Sequence, residues 1–232
     1  EQDRFQVETS AGQFTARAVV NATGRWSKLT QFEVPGKEKW LGLKAHFTES
    51  SPPSSVDLYF FDGGYCGVTP VDNRTVNACA MVQANVARSL DEVFSRSPEL
   101  ERRSASWKPL FAAVSTSPLY FREAETESGG MLLAGDSAAF IDPFAGDGIS
   151  LALQSGTLAA AVLIPFIQGQ CSLAQAHQQY REAYKKRFSP AFRNAARLRS
   201  AFAAPKLVRS AAMAFARIPG VGRILVQGTR TH

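Results

Sequence analysis

Residues 131–153, MLLAGDSAAFIDPFAGDGISLAL, constrain the fold more than any other stretch of the chain. Met131-Leu132-Leu133-Ala134 is a short apolar run that ends abruptly at Gly135-Asp136, as a fully buried strand does. Glycine and proline punctuate residues 137–147, and from Gly148 the chain is apolar and helix-forming until Pro165. The order strand, loop, helix, with glycines crowded where the helix begins, predicts an α/β layer. Asp136 then stands at the carboxyl edge of a sheet, where a carboxylate can accept hydrogen bonds from ligand hydroxyls. Gly146 and Gly148 lack a Cβ, so their backbone can lie against a flat ligand. A helix N-terminus at Gly148 aims unpaired N–H groups and a positive dipole end at the same place. Such a site favours a ring system that gains negative charge. Taken alone, Gly135-Asp136 can also be a strand-end turn whose carboxylate caps a local helix.

The rest of the chain can be arranged around that layer. Arg4 to Thr9 alternates, Ser10-Ala11-Gly12 turns, and residues 13–20 run out as a second strand. That strand closes on Val19-Val20-Asn21-Ala22-Thr23-Gly24, the pattern of a buried parallel strand with a ligand at its carboxyl end. Residues 41–48, 56–61, 65–71 and 76–83 read as four strands with tight turns between them, an antiparallel meander. Residues 89–103 have helical spacing, and residues 120–127 read as a strand returning to the first layer. From Phe188 to Phe202 apolar residues recur at three- and four-residue steps, punctuated by Pro190, Pro205 and Pro219. The expected organisation is α/β: residues 1–34 end the first part of one layer, 35–125 insert an antiparallel sheet, 126–180 return, and 181–232 form basic helices.

Gly135-Asp136-Ser137-Ala138-Ala139-Phe140-Ile141-Asp142-Pro143-Phe144-Ala145-Gly146-Asp147-Gly148-Ile149 resembles the second flavin-binding fingerprint of the geranylgeranyl reductase-like flavoproteins. It is similar also to that of the para-hydroxybenzoate hydroxylase-type monooxygenases and the flavin-dependent halogenases. The resemblance implies FAD as cofactor. It gives Gly135-Asp136 the ribityl contact and sets Pro143, Gly146, Asp147, Gly148 and Ile149 along the isoalloxazine ring. Ala18 to Lys28, AVVNATGRWSK, looks like the A-D-G-x-x-S stretch of these families, with Gly24 and Ser27 in step and Thr23 where many members have Asp. Gly64 to Pro70, GYCGVTP, resembles the G-Y-x-W-x-x-P strand of the reductases' substrate sheet, with Gly67 for Trp. No G-x-G-x-x-G follows any strand; these families place it at the start of the chain, so a missing N-terminal segment of the same protein is expected to complete the FAD site.

The resemblance implies an FAD-dependent oxidoreductase reducing a double bond of a lipid, prenyl or polyketide-like substrate, apolar or aromatic, with NAD(P)H as electron donor. A flavin monooxygenase or halogenase is the alternative, although Trp-x-Trp-x-Ile-Pro is absent and Trp26, Trp40 and Trp107 are isolated. A silent module that binds a membrane surface or a protein is the non-enzyme alternative. Catalytic candidates are Lys44 and His46, on one face of a strand, with His46 able to donate a proton near neutral pH, and Tyr65; each can equally be a solvated or packing residue.

Composition sets the remaining limits. Cys66, Cys79 and Cys171 have no paired spacing, and His46, His177 and His232 no metal-ligand spacing. A reducing, cytoplasmic location is expected. Residues 181–232 hold twelve Lys/Arg against one acid, Glu182, a net +11, so the remainder carries −5 of the overall +6. That tail is a solvated helical face, a peripheral membrane contact, or a non-specific polyanion contact. No nucleic-acid fold motif accompanies it, so no specific nucleic-acid partner is expected.

Overall fold

The computed structural model describes residues 4–26, 29, 39–119 and 121–202. They fall into two compact units, one drawing on residues 4–26, 29 and 121–196, the other on 39–119 and 197–202. Ser27, Lys28 and residues 203–232, with Pro205, Pro219 and His232, lie outside the described residues.

The first unit opens with the expected hairpin, β1 (Phe5–Thr9) and β2 (Gly12–Ala16), in register from Phe5 opposite Ala16 to Thr9 opposite Gly12. The second strand ends four residues before the expected limit. Arg17 leaves the ladder and donates to the carbonyls of Phe166 (3.2 Å) and Ile167 (3.0 Å), with its guanidinium 4.8 Å from the Phe166 ring. The chain becomes a strand again only at β3 (Val20–Asn21).

The second unit is built on the four expected strands, β4 (Trp40–Thr48), β5 (Asp57–Phe61), β6 (Gly64–Pro70) and β7 (Thr75–Gln83). Their order is β5-β6-β7-β4, all antiparallel, so the last strand pairs with the first. The single helix expected over 89–103 is two, α1 (Leu90–Phe94) and α2 (Pro98–Ser104). The break follows from Pro98, which has no N–H to continue a ladder and is accepted only in the first turn of a new helix. Ser89 and Ser97, both extended, cap the two helices through Glu92 N and Leu100 N. β8 (Lys108–Pro109) and β9 (Val114–Leu119) pair with the outer edge of β4.

One face of this sheet is core: Leu43, Ala45, Phe47, Val68, Val76, Ala78 and Val82 pack with Phe94, Leu100 and Trp107. Phe47 stacks on Trp107 at 5.3 Å, and Phe94 meets both rings at steep angles. Arg103 ties α2 to the sheet through Glu49 (2.8 and 2.9 Å), Asp57 (2.6 Å) and the Tyr59 hydroxyl (3.0 Å).

Back in the first unit, residues 121–126 form no strand, contrary to expectation. The return is only β10 (Glu127–Ser128), turned through Gly129 and Gly130, both at positive φ, into β11 (Met131–Leu133). β11 runs parallel to β3, with Leu132 opposite Val20 and Leu133 opposite Asn21. Two single-turn 3-10 segments, Gly135–Ser137 and Pro143–Ala145, lead to α3 (Gly148–Ile167). Pro165 does not end α3; a Schellman closure does, with Gly169 at φ +73°, Gly169 N donating to Phe166 O and Gln170 N to Pro165 O.

α4 (Leu173–Phe202) starts eight residues before the expected basic tail, at a capping box in which Ser172 and Gln175 bond each other's backbone N–H. Pro190 sits inside it without ending it. Its Tyr180, Tyr184, Phe188, Ala191 and Ala195 join Leu132, Leu133, Leu151 and Phe166 in the core, while Arg181, Lys185, Lys186, Arg193 and Arg197 are exposed. At 20 residues α3 is long and apolar enough to cross a bilayer by composition, yet Leu151, Ser155, Ala159, Val162, Leu163 and Phe166 are buried within the unit.

Candidate cofactor site

Two sequence segments far apart in the chain, residues 18–26 and 131–137, meet because β3 and β11 are adjacent and parallel. Their carboxyl ends therefore lie side by side. Leu132 N donates to Val19 O, and Ala134 N to Asn21 O, each at 3.0 Å, which carries the pairing one residue past each strand.

Three buried polar side chains fix the two loops beyond. Asn21 is 1% exposed, and its Oδ1 accepts from Thr23 N (3.1 Å), Thr23 Oγ1 (2.7 Å) and Ser137 Oγ (3.3 Å). Ser137 Oγ also accepts from Gly24 N at 2.9 Å and lies 3.1 Å from Gly24 O. Gly24 sits at φ +83°, which requires a glycine at this turn. Ser155 of α3 holds the start of the other loop, accepting from Gly135 N at 2.8 Å. Tyr180 donates to Leu133 O at 2.7 Å, so α4 buttresses the end of β11.

Gly135 is itself buried at φ +61°, and a Cβ there would come within 3.2 Å of the Ala152 Cβ. Its glycine serves the approach of the loop to α3 at Ala152.

Asp136 is half-buried, lies within the 3-10 turn and caps nothing. Among the described residues nothing hydrogen-bonds its carboxylate. Burial pushes its carboxyl above the ordinary range, and the charge of Arg25 pulls it partly back. Burial in turn lowers Arg25, which lies 4.5 Å from the Phe140 ring and 5.0 Å from that of Trp26. Arg122 donates to Ser137 O at 2.8 Å.

The α3 end has a distinct geometry. Gly146 is at φ +68°. Gly148 has no such backbone requirement, and a Cβ at either glycine would meet no heavy atom within 4 Å. Neither conformation nor packing explains Gly148, whereas close approach of a ligand to the backbone would. The first turn of α3 contains no acidic side chain. Pro143 is exposed, Ile149 is 81% exposed, and the Asp147 side chain is buried. Thr23 is exposed beside the turn but spends its hydroxyl on Asn21.

The residues fit a flavin. Asp136 would hold the ribityl hydroxyls, and the Gly146–Gly148 backbone with the α3 N-terminus would face the ring. Sequence reading missed Asn21, Ser137 and Arg25. The first two carry a visible signal, a polar residue closing an apolar strand and a serine directly after Gly-Asp. Arg25 carries none beyond adjacency to Gly24.

The catalytic candidates lie in the second unit. Lys44 is exposed and His46 half-buried, both on the face of β4 opposite Leu43, Ala45 and Phe47. Tyr65 is buried, 5.9 Å from the ring of Phe60. A cleft of about 1010 Å³ opens on the other, core face of the sheet, over Phe47, Phe94 and Trp107, and is not lined by these candidates. Among the described residues no cluster of His, Cys, Asp and Glu could hold a metal.

No family model matches the chain. A digeranylgeranylglycerophospholipid reductase of Methanosphaerula palustris is 47% identical over 184 residues, 72% of this chain and 45% of that protein. A tryptophan 2-halogenase of Chondromyces crocatus is 31% identical over 160 residues, 64% of this chain and 30% of that protein. Among solved structures, a triple mutant of the flavin-dependent brominase Bmp2 superposes with a TM-score of 0.74 at 17% identity, covering 97% of this chain and 61% of that one. At that identity the likeness is one of fold. The chain spans less than half the length of the curated relatives it matches.

Proposed function

The chain belongs to the FAD-dependent oxidoreductase superfamily that includes geranylgeranyl reductases and flavin halogenases and monooxygenases, and from this premise we propose that it carries the ribityl and ring contacts of an FAD-dependent reductase acting on a double bond of a lipid, prenyl or polyketide-like substrate. One observation carries the cofactor assignment: a partly desolvated carboxylate, Asp136, to which the described chain offers no hydrogen-bond donor, on a loop packed against α3, the helix whose Gly148 has open space where a side chain would be. A desolvated carboxylate without donors is costly, and ligand hydroxyls would supply them. When bound, the flavin supplies hydride chemistry. Asp136 would orient its chain, and the α3 dipole would favour negative charge at the ring by ~1–2 kcal/mol.

The reductase reading draws on the reductase relatives and on the GYCGVTP strand, observed as β6. The oxygen-dependent reading draws on the halogenase relative and the brominase fold. Anaerobic turnover of FAD-loaded protein with NAD(P)H and an alkenyl lipid separates them. A dihydro product formed without oxygen supports the reductase. Product only in the presence of oxygen supports the monooxygenase or halogenase. Failure of saturating riboflavin, which needs only the ribityl and ring contacts, to bind would leave the silent module.

A further inference from the structure

Residues 109–114, Pro-Leu-Phe-Ala-Ala-Val, are six apolar residues in succession, and all six are exposed. Leu110, Phe111 and Val114 are 42%, 72% and 62% exposed. Each of these side chains would gain by leaving water, so an exposed run of this length has no use in folding the unit. Contiguous exposed apolar surface marks a place of contact.

The pairing at the edge of β4 explains why the run projects. Pro109 of β8 stands opposite Phe47, and Val114 of β9 opposite Lys44. Two residues of β4, Ala45 and His46, therefore face four, Leu110 to Ala113. A ladder cannot hold that excess, and the chain bulges from the sheet edge, held at its start by Leu110 N donating to His46 O at 2.9 Å. The same loop forms one lip of the cleft over Phe47, Phe94 and Trp107, so its apolar surface continues into the core face of the sheet.

Charge lies around the run rather than in it. Lys108 precedes it, Lys44 is the cross-strand neighbour of Val114, and both are exposed. No acid lies in the run or opposite it on β4, from Thr48 to Lys44. The acids that line the cleft, Asp91 and Glu101, belong to α1 and α2. An apolar protrusion flanked by lysines is complementary to a phospholipid surface, with its side chains at the acyl boundary and its ammonium groups at the phosphates. A protein partner would have to offer a hollow of matching shape, whereas a bilayer yields to a convex loop. The loop backbone stays at headgroup depth, because its polar groups need water.

We propose that the loop Pro109–Val114 is a membrane contact, with Leu110 and Phe111 inserted at the headgroup–acyl boundary and Lys108 and Lys44 on lipid phosphates. The inference goes beyond the function proposed above and does not depend on it. Its test contains no flavin, so its failure leaves the cofactor assignment standing.

The 232-residue chain is sedimented with vesicles of phosphatidylcholine and phosphatidylglycerol at low and high salt. Salt should screen the lysines and leave the part of the binding that comes from insertion. Phe111→Asp is expected to weaken that salt-resistant binding about tenfold or more, and Phe111→Leu to retain most of it. Neither variant should lower Tm, since the side chain is 72% exposed. Lys108→Glu should weaken binding at low salt only. Phe111→Trp should be quenched by lipids brominated in their acyl chains, beyond any quenching of Trp26, Trp40 and Trp107 in the unaltered chain. Deletion of residues 203–232 should leave the salt-resistant part in place. The proposal is overturned if the unaltered chain shows no salt-resistant binding, if Phe111→Asp binds equally well, if the new tryptophan is not quenched, or if the deletion removes all binding. Self-association without vesicles that Phe111→Asp abolishes would also overturn it, assigning the loop to a second copy of the chain.

Discussion

Replacing Asp136 should move ligand affinity and fold stability in opposite directions. A hydrogen bond to a charged acceptor contributes about 1.5–3 kcal/mol. Asp136→Ala should therefore weaken flavin binding by roughly 10- to 150-fold for each ribityl hydroxyl it holds. Asp136→Asn keeps an acceptor and loses only the charge-assisted part, about 1 kcal/mol or roughly fivefold per bond. Stability should go the other way. The folded carboxyl titrates above its unfolded value because it is partly buried without donors. Its contribution to stability is therefore complete below the ordinary Asp range and is lost as pH rises through the raised value. At neutral pH the ionised group costs stability, so Asp136→Asn should raise Tm there and leave it little changed at pH 3. Riboflavin, which carries the ring and ribityl chain alone, is the cleanest probe: protein is titrated into it and its fluorescence followed, alongside thermal unfolding at both pH values. Unchanged riboflavin affinity in Asp136→Ala would refute the ribityl assignment. Loss of affinity together with a lowered Tm in Asp136→Asn would make Asp136 a structural residue.

Other positions test other parts of the structure. Gly148→Ala should leave Tm equal or slightly higher, since Ala favours a helix by up to ~1 kcal/mol and its Cβ meets nothing, but should weaken riboflavin binding; unchanged binding would mean that nothing approaches that backbone. Arg103→Met strands the Glu49 and Asp57 carboxylates, which are 14% and 31% exposed, and should cost about 3–5 kcal/mol in urea unfolding; Arg103→Lys should recover only part, lacking the fork that spans Glu49 and Asp57. Ser137→Ala leaves the Gly24 N–H without its partner and should cost about 1–3 kcal/mol, seen as a lower Tm. Residues 203–232 carry five Lys/Arg and no acid, so if they touch an anionic membrane, deleting them should abolish salt-sensitive sedimentation with anionic vesicles; binding that survives the deletion would exclude them as the contact.

The parts of the fold that the sequence made legible are those written in local chemistry. β5 to β7 were readable because tight turns at Asp62-Gly63 and Asp72-Asn73 separate them, and β4 because Lys44 and His46 alternate with Leu43, Ala45 and Phe47. Residues 131–153 were readable because an apolar run, a glycine and a helix start occur in order. What escaped depended on partners distant in sequence. β2 stops at Ala16 because Arg17 is committed to carbonyls 149 and 150 residues away. Residues 121–126 form no ladder, making only single backbone bonds, from Glu125 N to Ala138 O and from Leu133 N to Thr126 O. The basic tail looked like one solvated or membrane-facing unit, yet up to residue 202 it is a helix whose other side, Tyr184, Phe188 and Ala195, completes a core. Charge counted along the chain says nothing of which side of a helix the apolar residues use.

The same contrast bears on the cofactor site. The residues that the fingerprint names are of two physical kinds. Gly24 and Gly135 are required by positive φ, and Gly135 also by the contact with Ala152. They would be needed whether or not a ligand binds, because they let two loops close on Asn21, Ser137 and Ser155. Asp136 and Gly148 are different, since the fold has no evident use for either. The carboxylate is desolvated without donors, and the missing side chain leaves open space at the first residue of a helix. A sequence retained for folding alone would gain stability by changing both, to Asn and to Ala. Their presence is therefore the part of the motif that points beyond the chain, and substitution of these two, rather than of the buried glycines, separates loss of a ligand from loss of a fold.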